Sequence, residues 1–285
     1  MAPGNELLLI EVNFVMNHLG VDPEERLSYL LAHKPEKVHD QLTWEIAACM
    51  NDCGKFDEAI QCMLGHEFVA AECQETYLTE SWTFANVAKG RELMAAGKYE
   101  EALPYLEAAQ KIQPNFRAGW WDTQALYYPR VFEAKCRLAL GDEAGAREKA
   151  AEVLPFIHSN YSPYMGPETD AYVAEAMRIL GDKVNARKFI SEAVIRWEKQ
   201  LNGAVGGNGY KAYGDGRRDI KPIVTALFYT TVPDGEKEHD SELYNALGRS
   251  RLFFGDTEGA KKYFEKSLEL DPSNHKARFE CRLMK

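Results

Sequence analysis

The sequence predicts an all-α fold, a right-handed α-solenoid of helical hairpins with long, irregular linkers. A glycine followed five residues later by an alanine recurs at Gly54 and Ala59, Gly97 and Ala102, Gly141 and Ala146, Gly181 and Ala186, and Gly255 and Ala260. An apolar helical stretch precedes each pair and another follows it. The composition supports a sizeable core, with 285 residues of which 45% are hydrophobic and 27% charged.

The glycine-to-alanine spacing is what a helical hairpin requires. Glycine takes the left-handed conformation that ends the first helix, one or two polar residues turn, and the small alanine lets the second helix approach the first. Acidic residues after the turn, Asp57-Glu58 and Glu100-Glu101, suit the positive end of the second helix. The elements follow in order. A first helix runs from Glu6 to Leu19 and stops at Gly20. Asp22 caps the next helix, with Pro23 at its first position and Glu25 closing a capping box. Pro104 places the second helix of its hairpin either later, near Glu101, or with a kink. One array over residues 1–285 is expected, with units near 5–35, 40–73, 83–116, 127–160, 167–200 and 241–274 and a capping helix at about 274–285.

Successive turn glycines from Gly20 to Gly255 are separated by 34, 43, 44, 40 and 74 residues, so most units carry excess linker. Pro155 to Pro167 is turn-rich. Residues of about 200–240 hold Gly203, Gly206, Gly207, Gly209, Gly214 and Gly216, and then Asp219 to Thr231 reads as an extra capped helix.

The last unit names the kind of repeat. From Ser241 it has Tyr244, Leu247-Gly248, Gly255, Ala260, Phe264, Ser267 and Asp271-Pro272, and this pattern resembles the tetratricopeptide repeat. Thr83 to Phe116 resembles it again through Gly90, Gly97, Ala102, Leu106, Ala109 and Pro114. In three other units Ala47, Ala134 and Ala174 replace the first-helix glycine and the terminal proline is missing. More widely, Glu24-Glu25-Arg26-Leu27, Gly54 to Ala59, His66-Glu67-Phe68 with Glu72, and the helix ending at Gly97 resemble the C-terminal repeat region of large bacterial proteins. Those proteins carry an N-terminal β-rich domain of uncharacterised function, sometimes linked with carbohydrate metabolism. They often have a Trp-Glu-Gly-Gly-like stretch where this chain has Ala70-Ala71-Glu72-Cys73-Gln74. The resemblance implies a piece of such a polypeptide or a stand-alone copy of its repeats.

Charge and motifs narrow the function. With 44 Asp+Glu against 34 Lys+Arg, the net charge of -10 argues against nucleic acid. The best apolar candidate, Leu7 to Ile10, is closed by Glu11 and Asn13, far short of a membrane span, and the first residues do not read as a secretory signal. A cytoplasmic location is expected. No nucleophile elbow, zinc-protease, phosphate-loop or EF-hand motif occurs. Gly203 to Gly209 follows a helix rather than a strand, so it reads as a linker and not a dinucleotide loop. Cys49 and Cys53, with Cys62 and His66 near, lack the tight knuckle of a zinc site and read as core residues. No cofactor and no metal is expected.

The family resemblance implies that positions 2, 5, 9 and 12 of each first helix line a concave groove. On this chain those positions include Trp44, Arg91, Tyr128, Lys135, Glu168, Glu175, Arg178 and Arg249. The groove candidates are Trp44, Arg91, Tyr128, Lys135, Arg178 and Arg249. Arg91 and Lys135 hold equivalent positions of consecutive units, a basic stripe suited to a carboxylate or an acidic peptide. The lysine and asparagine set with which some relatives clamp a chaperone's acidic tail is not reproduced, because Val87 and Val131 stand where lysine is wanted. Loop aromatics, Trp120, Trp121, Tyr127 and Tyr128, then Tyr161 and Tyr164, then Tyr210 and Tyr213, fill small linker cores or anchor a ligand.

Two functions follow. One is a non-catalytic scaffold holding a peptide, a protein partner or another domain of a longer chain. The other is an accessory or substrate-binding region of a carbohydrate-active enzyme, which rests on the resemblance alone. The first helix, with Leu7, Leu8, Leu9, Ile10, Val12, Phe14, Val15 and Met16, is too apolar all round for a capped end. It is expected to pack on a second copy of the chain or on a missing domain.

Overall fold

The five hairpin glycines, and Gly20 before them, all take left-handed backbone, with φ between 72° and 98°. Gly54 illustrates why. Its amide donates to the Asn51 carbonyl and the Lys55 amide reaches back to Met50 O, which closes helix α3 and lets α4 begin at Phe56. A side chain at that φ would crowd its own backbone.

The computed structural model describes residues 5–69, 74–117, 126–156, 166–202 and 235–285. Its helices are α1 (Glu6–His18), α2 (Pro23–His33), α3 (Asp40–Cys53), α4 (Phe56–Leu64), α5 (Gln74–Ala95), α6 (Tyr99–Ala108) and α7 (Tyr127–Ala139). They continue with α8 (Glu143–Ala151), α9 (Thr169–Ile179), α10 (Lys183–Leu201), α11 (Gly235–Phe253), α12 (Thr257–Leu270) and α13 (His275–Leu283). Short 3₁₀ turns occupy Pro114–Phe116 and Leu154–Phe156, and no strand occurs among the described residues. The all-α reading therefore holds. The expected helix at Asp219 to Thr231 and the glycines from Gly203 to Gly216 lie outside the described residues. Two compact units divide the chain at residues 142 and 143.

The small residues sit where helices cross. Ala59, Ala102, Ala146, Ala186 and Ala260 are all fully buried, as are Ala47, Ala134 and Ala174. At Gly90 even a methyl is too much, because a Cβ there would lie 2.9 Å from the Leu106 side chain. At Gly248 it would lie 2.5 Å from the Phe264 ring. Helix α6 begins at Tyr99 and runs through Pro104, so the proline is absorbed inside the helix rather than delaying its start.

In the N-terminal unit, Leu9, Ile10, Leu27, Leu30, Leu42, Ile46 and Cys49 pack α1, α2 and α3 together. Asp22 caps α2 by accepting from the Glu24 amide at 2.9 Å. A second core gathers Trp44, Met63, Phe68, Trp82 and Phe116, with the Phe68 and Trp82 rings edge-on to Phe116. Trp82 Nε1 donates to the Ala108 and Lys111 carbonyls at 3.0 Å, so the ring is also satisfied. The Asn115 amide donates to Met63 O at 2.9 Å and His66 O at 2.7 Å, which ties the end of α4 to the turn after α6. One side of α1 is left uncovered, with Leu7, Val15 and Leu19 exposed.

In the C-terminal unit, Ala174, Ile190, Ala193, Trp197, Leu243 and Leu247 form the core between α9, α10 and α11. Phe264 and Ala277 carry it on to α13. Aspartate and asparagine caps start the later helices: Asp182 accepts from Asn185, Asp256 from Gly259 and Asn274 from Ala277.

Candidate recognition surface

The side chains that a repeat points away from its hairpin core depend on α5 and α7 in the N-terminal unit. Arg91 on α5 lays its guanidinium over the Phe132 ring of α7, 4.3 Å from the centroid. Lys135, three residues further along α7, brings its ammonium to 5.4 Å from the same ring. Two cations thus meet one buried aromatic ring, which orients both and offers each about 0.5–1 kcal/mol of cation–π attraction. The register of α7 is fixed by Arg137, which reaches Glu107 on α6 at 2.8 Å, Glu133 at 2.7 Å and Asp142 at 2.9 Å. Gln110 donates to the other oxygen of Glu133 at 2.5 Å.

Trp44 and Tyr128 are placed differently. Trp44 belongs to the core beside Met63 and Trp82, and Tyr128 is buried with its ring edge-on to Tyr127. Trp120, Trp121, Tyr161, Tyr164, Tyr210 and Tyr213 lie outside the described residues.

A Thr-His-Asp arrangement also occurs in this unit. Thr43 Oγ1 lies 3.4 Å from His66 Nδ1, and His66 Nε2 lies 2.7 Å from Asp40. The Thr43 hydroxyl donates to the His39 carbonyl at 2.9 Å, and the second Asp40 oxygen accepts from the Val69 amide at 2.7 Å. The trio ties the segment after α4 to the start of α3, and its hydroxyl proton points to backbone rather than to the imidazole.

The C-terminal unit treats its cations another way. Arg249 on α11 is only 8% exposed, pairs with Glu280 of α13 at 2.5 Å and lies over the Tyr172 ring of α9. Burial works against its charge, but Glu280 first, then Tyr172, Glu168 and Glu175, outweigh it and hold the guanidinium above its ordinary value. Glu168 meets Lys276 of α13 at 2.7 Å. There burial opposes ionisation and the Lys276 ammonium overcomes it, so the carboxyl is held below the usual range. Arg178 pairs with Glu175 at 2.5 Å and lies over the Phe253 ring. The network joins α9, α11 and α13.

Residues 85–116 and 241–274 match the tetratricopeptide repeat family. They are the two segments whose motifs are most complete in the sequence. A crystal structure of a tetratricopeptide repeat protein from Parabacteroides merdae is similar over 99% of this chain and 99% of that one, at 13% identity and a TM-score of 0.39. No curated protein matches. Among the described residues no helix is long and apolar enough to cross a membrane.

Sequence reasoning missed Phe132, Lys276 and Glu280. Phe132 follows Val131, a position already assigned to the groove, and only the packed helices show its ring passing beneath Arg91. Lys276 was legible: carrying the 34-residue repeat from Ser241 onto the last helix sets it at position 2, the same as Glu168.

Proposed function

We propose that this chain is a non-catalytic recognition module whose tetratricopeptide repeats hold a peptide or a partner protein, with Arg91 and Lys135 as the anchor for a carboxylate of that partner. The observation that carries this reading is the convergence of the two cations on the Phe132 ring. A carboxylate meeting both gains charge-assisted hydrogen bonds, and the ring beneath keeps water from one side of them. The overall acidity of the chain makes such a site selective through its surroundings, since an acidic partner is repelled elsewhere.

Selection of peptides from a random displayed library on the full chain tests this. Enriched sequences are expected to share an Asp, Glu or free C-terminus, and Arg91→Glu with Lys135→Glu is expected to remove the enrichment. Unchanged enrichment on the doubly reversed chain would overturn the anchor. In the interdomain form of the reading, suggested by the resemblance to larger bacterial proteins, the carboxylate belongs to another domain of the same polypeptide. The exposed side of α1, with Leu7, Val15 and Leu19, is the second contact, made with a further copy or with that domain.

A further inference from the structure

Cys49 and Cys53 stand four residues apart on α3, so one helical turn brings both to the same face. They differ in setting. Cys49 is 1% exposed, with Sγ 3.5 Å from the Pro23 carbonyl oxygen and within hydrogen-bond reach of Cys53. Cys53 is only partly buried and is the last residue of the helix, directly before the left-handed Gly54. The neighbouring Cys49 sulfur is the main reason the Cys53 thiol is held below its ordinary value; burial and then the Glu24 carboxylate oppose this, and the Lys55 ammonium, itself paired with Glu24 at 2.6 Å, assists. The same neighbour, with burial, pushes Cys49 up, and the Cys49 thiol donates its proton to the Pro23 carbonyl. Cys62, Cys136 and Cys281 are all pushed up by burial first, Cys136 to about 11.

We infer that Cys53 and Cys49 form an oxidisable pair, a modification site for hydrogen peroxide in which Cys53 is the nucleophile and Cys49 the resolving thiol. The Cys53 thiolate attacks one peroxide oxygen, the O–O bond breaks, and hydroxide takes up a proton and leaves as water. Cys53 is then a sulfenic acid. Cys49 attacks its sulfur as it gives up a proton, the S–O bond breaks, and the oxygen departs as a second water. Two thiols lose two electrons, and one peroxide becomes two waters.

Closing the bond requires movement. Cβ atoms four apart on a helix lie about 5–6 Å from each other, whereas a disulfide holds them at about 3.5–4.5 Å. Cys53 must leave helical geometry, and its place at the helix end confines the unwinding to the last turn. That turn carries Asp52, whose carboxylate pairs with the buried Arg26 at 2.5 Å. Oxidation therefore pulls Asp52 from Arg26, leaves Asn13 as a guanidinium partner at 3.2 Å, and loosens α2 from α3.

The test uses the full reduced chain treated with a small excess of hydrogen peroxide, alkylated with N-ethylmaleimide and cut with trypsin. Cleavage after Lys37 and Lys55 releases residues 38–55, which hold Cys49 and Cys53 and no other cysteine. That peptide is expected to be unalkylated and lighter by two hydrogens while the other thiols still take maleimide. Before oxidation, Cys53 is expected to alkylate about tenfold faster than Cys62. The oxidised chain is expected to unfold at a lower temperature, with recovery in dithiothreitol. In Cys49→Ala a dimedone adduct should accumulate on Cys53, and the peptide mass from the unsubstituted chain decides the matter if that variant does not fold. The proposal fails if residues 38–55 keep both maleimide groups while another cysteine is oxidised. An unfolding temperature that stays level or rises with the disulfide formed overturns the loosening of α2.

Discussion

Arg91 and Arg249 occupy the same position of their repeats, on α5 and α11, and the side chains brought against them by the next helix differ. Arg91 is half-buried and shares the Phe132 ring with Lys135. Arg249 is buried against Glu280, with Tyr172 beneath it and Glu168 and Glu175 near. The repeat sets where a side chain points, and the residue supplied by the next helix decides what it can do there. On α7 that residue is aromatic. On α13 it is a carboxylate, and Arg249 becomes part of the fold.

The largest effect expected from this contrast is on stability. Arg249→Ala leaves Glu280, itself 1% exposed, as a buried charge without its guanidinium, and a loss of about 3–5 kcal/mol is expected. Chemical denaturation of the variant measures it. A loss as small as that of Arg91→Ala would erase the distinction between the two positions.

Carboxylates sharpen the comparison through pH. Glu45 on α3 is pushed up to about 7, chiefly by burial and then by Asp52, while the Asn13 amide at 2.8 Å and Arg26 pull the other way. Glu168 is held down by Lys276. Glu45 keeps its proton more tightly folded than unfolded. Its contribution is therefore complete below its ordinary value of 4.5 and is lost as pH rises through about 7. Stability is expected to fall by on the order of 2 kcal/mol between pH 5 and 8, and Glu45→Gln should flatten that slope. Denaturant midpoints across this range check it, and an identical slope in the variant would refute the assignment. Glu168 works in the opposite sense, with stability present above its ordinary value and lost on acidification.

The smallest effect belongs to Arg91→Ala. Truncating this half-buried side chain, with its cation–π contact to Phe132, is expected to cost about 1 kcal/mol, with the peptide enrichment described above lost all the same. A loss of several kcal/mol in urea unfolding would instead make Arg91 a structural residue like Arg249.

The fold was legible because its signals are local. A left-handed glycine, a buried alanine five residues on and an aspartate before a helix each act within one hairpin, so Gly54, Ala59 and Asp22 could be read directly. The candidate site was legible only in part. Position counting from the resemblance brought out Arg91, Lys135, Glu168, Glu175 and Arg249. It could not show that Trp44 sits in the core or that Arg178 turns to Glu175, since both depend on side chains from other turns and helices. Arg26, Asp52 and Asn13 lie on three helices in register only once these are packed.

At Gly255, the left-handed turn has one more consequence. Among the described residues, no atom beyond its own chain neighbours lies within 4 Å of where a Cβ would stand, so the turn excludes ordinary side chains by handedness and not by size. A residue of mirror-image configuration has the opposite preference. D-Alanine introduced there by chemical ligation would enter its favoured conformation, fit the open space and narrow the unfolded ensemble, making the turn more stable than glycine does.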